Sequence, residues 1–166
     1  MNESLREIFR YHTWATLRLL DHCTALPPEQ LDETIPGTMG TIHDTFVHII
    51  SSDAGYQARL RGDASLRIRD AKSLPLSELR GYFVERSKGW EDALDHLDDF
   101  DPTLEPEDDH PDAVPHVRDL LLAQAIHHGN DHRTHICSIL GANEHEVPET
   151  DVWTYWFVTR NVRLVH

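Results

Sequence analysis

The stretch Ala125-Ile126-His127-His128-Gly129-Asn130-Asp131-His132-Arg133-Thr134-His135-Ile136 holds four of the thirteen histidines of this 166-residue chain and contains no proline. On an ideal helix with His128 as the reference direction, His132 lies about 40° to one side and His135 about 20° to the other. Leu121, Ala125 and Ile139 fall within about 60° of the same direction, so three histidines share a face with residues that belong in a core. His127 points about 100° away and reads as ordinary. A single imidazole on an apolar face is ordinarily a hydrogen-bonded core residue. Several together are different: imidazoles one turn apart can aim ring nitrogens at one ion. Without an ion, burying them leaves donors and acceptors unpaired.

Working outward, this helix opens after Pro115 and runs to Leu140, with Gly141 placed to cap its C-terminus. A first helix, Leu5 to Ala25, carries Leu5, Ile8, Phe9, Ala15, Leu19, Leu20 and Cys23 on one stripe and stops at Leu26-Pro27-Pro28. A loop then reaches the turn Pro36-Gly37-Thr38-Met39-Gly40. Thr38 or Thr41 caps a second helix striped with Ile42, Phe46, Ile49, Asp53, Tyr56 and Leu60, and Arg61-Gly62-Asp63 closes it. A third begins near Ser73-Leu74-Pro75 and continues through Leu76, Leu79, Phe83, Trp90, Leu94 and Leu97. Residues 98–115 form a long acidic connection, with room for short extended pieces. The tail Asp151-Val-Trp-Thr-Tyr-Trp-Phe is aromatic enough to dock as a short helix or strand. Four amphipathic helices without sustained strand alternation predict an all-α four-helix bundle, one domain over residues 1–166.

The formal net charge is −14, from 29 acidic and 15 basic residues. Eleven Asp or Glu and no Lys or Arg lie between Glu91 and Asp112. Such a chain repels phosphate backbones and anionic lipid, which argues against nucleic-acid and membrane partners. No apolar run approaches the roughly 20 residues that cross a bilayer. The charged start, Met1-Asn-Glu-Ser-Leu-Arg-Glu, reads as helix rather than as a secretory leader. Cys23 and Cys137 have neither metal nor redox spacing and read as reduced core thiols. The expected location is the cytoplasm.

A third ligand has to come from another helix, where His43, Asp44 and His48 are donors; His48 is mid-helix, at the edge of the stripe formed by Ile42, Phe46 and Ile49. The pattern resembles the DinB/YfiT-like family of metal-binding four-helix bundles, from Phe9-Arg-Tyr-His-Thr-Trp-Ala to the Asp151-Val-Trp-Thr-Tyr tail. In that family the first ligand is a second-helix histidine followed five residues on by an acidic residue, as in Thr41-Ile-His-Asp-Thr-Phe-Val-His48-Ile-Ile-Ser-Ser-Asp53. The other two form His-x3-His, as in His128-Gly-Asn-Asp-His132. The resemblance thus implies His48, His128 and His132 as ligands. Thr134 and His135 stand where the family usually has Gly and Gln, and His12 stands where Asn is common. His135 is therefore a candidate extra ligand or neighbour of the ion, and Asp53 a partner for an imidazole N–H or a member of an inter-helix salt bridge. His12 and His135 are candidate proton shuttles.

Three neutral imidazoles leave coordination positions open, as catalytic sites do, whereas structural zinc sites are normally closed by four protein ligands. The resemblance implies one divalent ion, zinc or nickel, and a small-molecule substrate. The chemistry is then thiol-dependent transfer or isomerisation with a low-molecular-weight thiol, or hydrolysis; a homodimer is common among similar proteins. The alternative is a non-catalytic, metal-stabilised or stress-associated bundle. A di-iron bundle is excluded because its Glu-x-x-His pairs must sit on core faces, and Glu107-x-x-His110 lies in the acidic connection.

Overall fold

Capping chemistry sets where the helices start and stop. A computed structural model describes residues 3–104 and 116–160, and these are all-α apart from two very short strands. Helix α1 (Glu3–Thr24) ends before the proline pair, and Pro28 opens the single turn α2 (Pro28–Leu31) within the expected loop. Helix α3 (Ile42–Arg61) begins at Thr41 rather than Thr38. The Asp44 N–H donates to Thr41 Oγ1 (3.0 Å) and the Thr41 N–H donates to Asp44 Oδ2 (3.3 Å), a reciprocal capping box. Gly62 ends α3 in the left-handed conformation, φ +63°.

Helix α4 (Leu76–Asp95) starts from Pro75 with no side-chain cap, because Ser73 belongs to the preceding 3-10 turn. Leu97, expected within this helix, lies in another 3-10 turn beyond it. Helix α5 (Arg118–Ala142) starts later than Pro115 because His116–Val117 forms strand β2, antiparallel to β1 (Thr103–Leu104), with Thr103 opposite Val117. The rest of the acidic connection, residues 105–115 with Glu107, His110 and Pro115, lies outside the described residues.

Gly141 does not cap α5; it lies inside the helix. The left-handed position falls to Glu144, φ +60°, and the His145 N–H donates to the Leu140 carbonyl (2.9 Å) while Glu144 N–H donates to Gly141 (3.2 Å). That is the Schellman pattern with a non-glycine residue at its turning point. His145 Nε2 lies 2.7 Å from Glu33 Oε2, which ties the turn to the α2–α3 connection. The tail forms helix α6 (Val152–Thr159), capped by Asp151. It docks on α1: Tyr155 is buried, its hydroxyl donates to Glu7 (2.9 Å), and the Tyr11 hydroxyl donates to the Thr150 carbonyl (3.0 Å).

Helices α1 and α3 each pack against both α4 and α5, closing a ring of four long helices. Its interior is not uniformly apolar. One cluster gathers Leu19, Leu20, Phe46, Ile49, Phe83, Ile136 and Ile139; the other gathers Phe9, Leu60, Trp90, Leu94, Leu121 and Leu122. Between them along the helices lie five buried polar side chains, His12, Thr16, Asp53, Gln57 and Arg133. Ile8, expected on the inner stripe of α1, faces solvent. Cys23 is a free, buried thiol pushed up to about 12 by burial and then by the neighbouring Cys137, also free. Among the described residues no helix is long and apolar enough to cross a membrane.

The capping box gives a direct test. Thr41→Ala removes one acceptor at the start of α3 and should destabilise the fold by about 1 kcal/mol. Urea denaturation should show a lower midpoint with an unchanged slope; an unchanged midpoint would mean that the box contributes nothing.

Candidate metal centre

Helices α3 and α5 lie side by side and bring His48 against His128 and His132. One ring nitrogen from each can be chosen so that all three lie within 4.8 Å of one another. The ring centroids form a nearly equilateral triangle, 4.7 Å for His48–His128, 4.6 Å for His48–His132 and 4.4 Å for His128–His132. His48 Nε2 and His128 Nε2 approach to 2.9 Å. Two imidazoles on one ion at metal–nitrogen distances of about 2.0–2.1 Å place their nitrogens about 2.9–3.4 Å apart for bond angles between right and tetrahedral. The donor set therefore fits a divalent ion.

Protonation favours the same use. His128 is pushed down to about 4, first by burial and then by the charges that His132 and His48 would carry. Burial lowers His48, and burial followed by His48 and His135 lowers His132. At neutral pH the three rings are held neutral, the form in which imidazole binds a metal.

The other expected residues fall around this triangle. His135 Nδ1 lies 3.2 Å from His132 Nδ1, close enough to set which nitrogen of His132 carries its proton. His43 and Asp44, the competing donors on α3, are engaged elsewhere: His43 Nε2 is 2.8 Å from the Leu74 carbonyl oxygen, and Asp44 serves the cap. His127 is exposed. Asp53 is buried and accepts from Trp90 Nε1 at 3.0 and 2.9 Å and from Gln57 Nε2 at 3.4 Å.

His12 stands between Asp53 and Arg133. Arg133 Nη1 lies 3.1 Å from His12 Nδ1, and a guanidinium can only donate, so Nδ1 accepts and the ring proton sits on Nε2. That Nε2 lies 3.4 Å from Asp53 Oδ1 without the alignment of a hydrogen bond. Arg133 also donates to Thr16 Oγ1 (2.9 Å) and Asn130 Oδ1 (3.1 Å). Burial pushes Arg133 below its ordinary value, opposed by Tyr11, Cys137 and Asp53.

Arg133 is the residue that the helical projection about His128 missed. The buried positions of α5 include Leu122, Ala125, Gly129, Arg133, Ile136 and Leu140, a 3-4-4-3-4 spacing centred about 100° from His128. His128, His132 and His135 sit on the shoulder of that stripe, half-buried, not at its centre. The signal was present in the spacing, but glycine and arginine interrupt it.

An all-helical protein with three convergent imidazoles at a helix interface is the class that fold and site define. The sequence matches the DinB family over residues 1–161, and the chain belongs to that family. No curated protein matches it.

In a metal titration, His128→Ala and His132→Ala should each abolish tight binding while His127→Ala leaves it nearly intact. Equal losses in all three would contradict the geometry. The lowered histidines also fix a pH dependence for the metal-free protein. Between about pH 6.5 and 4 the unfolded chain binds more protons at His128 than the folded one, so stability rises with pH across that window, and the lowered His48 and His132 act in the same direction. Denaturation midpoints should fall on acidification from 6.5 to 4, and His128→Asn should flatten the slope.

Proposed function

We propose that this protein is a metal-dependent enzyme acting on a small molecule, with one zinc or nickel ion per chain held by His48, His128 and His132. The observation that supports this most directly is the position of the triangle: three half-buried imidazoles at the edge of the core. A structural site would be expected to close with a fourth protein ligand, and among the described residues this cluster comprises three. When bound, such an ion acidifies a water or a thiol and polarises a carbonyl. His135 orients the His132 ring through their Nδ1 contact. Tyr56 lies edge-on to His128, 5.8 Å between ring centroids, and limits how that ring turns. Imidazole donors suit several late first-row metals, so metal supply decides between zinc and nickel.

A low-molecular-weight thiol fits an open coordination position, for transfer or isomerisation, with hydrolysis as the other chemistry of such a site. We read the ring of long helices as a four-helix bundle forming one cytoplasmic domain. The exposed Trp153 and Trp156 of α6 are then the surface on which two copies meet. The competing reading, an ion that only stabilises the fold, makes the opposite prediction on metal removal.

The two apolar clusters hold the helices without help from the histidines. Chelation should therefore leave the helical circular dichroism largely intact, and thiol addition to cobalt-substituted protein should shift its visible absorption bands. Loss of the helical signal together with thiol-insensitive bands would establish the structural role instead.

A further inference from the structure

A cavity of about 660 Å³ opens between α3 and α5 beside the histidine triangle. Its polar lining is Ser51, Ser52, Tyr56, Arg59, Arg67 and Gln124. Ser51 and Ser52 lie one turn beyond His48 on α3, and Gln124 lies one turn before His128 on α5. Tyr56 belongs to both places, since it lines the cavity and meets His128 edge to face. Gln124 Nε2 lies 3.5 Å from the Tyr56 hydroxyl, which joins the two walls. None of the three histidines lines the cavity; Tyr56 is the described residue that joins the cavity wall to the triangle.

The charge of its described lining runs against that of the chain. The sequence carries 29 acidic and 15 basic residues, yet the described lining holds two arginines and no carboxylate. The fold makes room for one of them: a side chain at Gly55 would stand 3.2 Å from Arg67 Nη1, so the guanidinium lies close against the backbone of α3. Ser51 Oγ is buried in this wall with no hydrogen-bond partner among the described residues. Both arginines already interact within the chain, but a guanidinium has five N–H donors and receives carboxylates in a planar fork. Leu121 supplies an apolar patch for a short carbon skeleton.

We propose that this cavity binds a small organic anion, its carboxylate received by Arg59 and Arg67 and its other end directed to the histidine triangle. The second half of that statement rests on the metal-site reading above; the first half does not. The substrate class is then a short carboxylic acid, or a thiol that bears a carboxylate.

Two measurements on the full chain separate the parts. Succinate titrated into metal-free protein should produce saturable shifts of the Arg59 and Arg67 Nε–Hε signals in ¹H–¹⁵N spectra. Arg67→Gln, at an exposed position, should weaken binding at least tenfold, and Arg59→Gln should do the same wherever circular dichroism shows it folded. On cobalt-loaded protein, mercaptosuccinate should bind at least tenfold more tightly than 2-mercaptoethanol, with the preference lost in Arg67→Gln. No saturable succinate shift, or a thiol preference that survives Arg67→Gln, overturns the proposal. Failure to take up cobalt with succinate binding intact overturns the metal reading and leaves the anion site standing.

Discussion

The buried line from Asp53 through His12 to Arg133 is the constraint on which the arrangement of helices depends. A carboxylate and a guanidinium taken out of water lose several kcal/mol of hydration each, and only close partners recover it. Here the partners come from every long helix: Asp53 from α3, His12 and Thr16 from α1, Trp90 from α4 and Arg133 from α5. Apolar clusters above and below this layer are tolerant of sliding, whereas hydrogen bonds of about 3 Å are not. The polar layer therefore sets register where the apolar layers set strength.

That register is what assembles the histidines. His48 precedes Asp53 by five residues, and His128 precedes Arg133 by five. Five residues turn a helix by about 140°, so each charged residue aims inward while its histidine emerges at the groove between α3 and α5. Arg133 donates to the His12 imidazole and Asp53 lies against its other edge, so the two helices stand level and His48 lies opposite His128. The histidine triangle and the buried polar line are two sides of one alignment.

Much of this was legible in the sequence. The proline pair, a threonine cap, and three- and four-residue apolar steps located the long helices within a few residues. The capping residue of α3 and the end of α5 were harder. Thr41 wins over Thr38 because Asp44 completes the box, and Glu144 displaces Gly141 because His145 is held by Glu33. The choice of His48 over His43 and Asp44 needed either the family pattern or the tertiary partners that occupy the other two. Arg133 was invisible to a projection centred on His128, since a helix packed against two neighbours buries a wider arc than one stripe describes. The basic character of the described cavity lining was equally hidden, because Arg59 and Arg67 are distributed along a chain whose total is strongly negative.

Gly129 carries a consequence for anyone rebuilding this protein. It has ordinary helical geometry, so its lack of a side chain answers no backbone demand. A Cβ there would overlap the His12 ring and crowd Arg133 Nη1 at 3.2 Å. Positions 12 and 129, far apart in the chain, are thus a single steric unit. A combinatorial library that varies one while fixing the other samples mostly dead combinations. Alanine at 129 requires at 12 a shorter side chain that still offers an acceptor to the guanidinium.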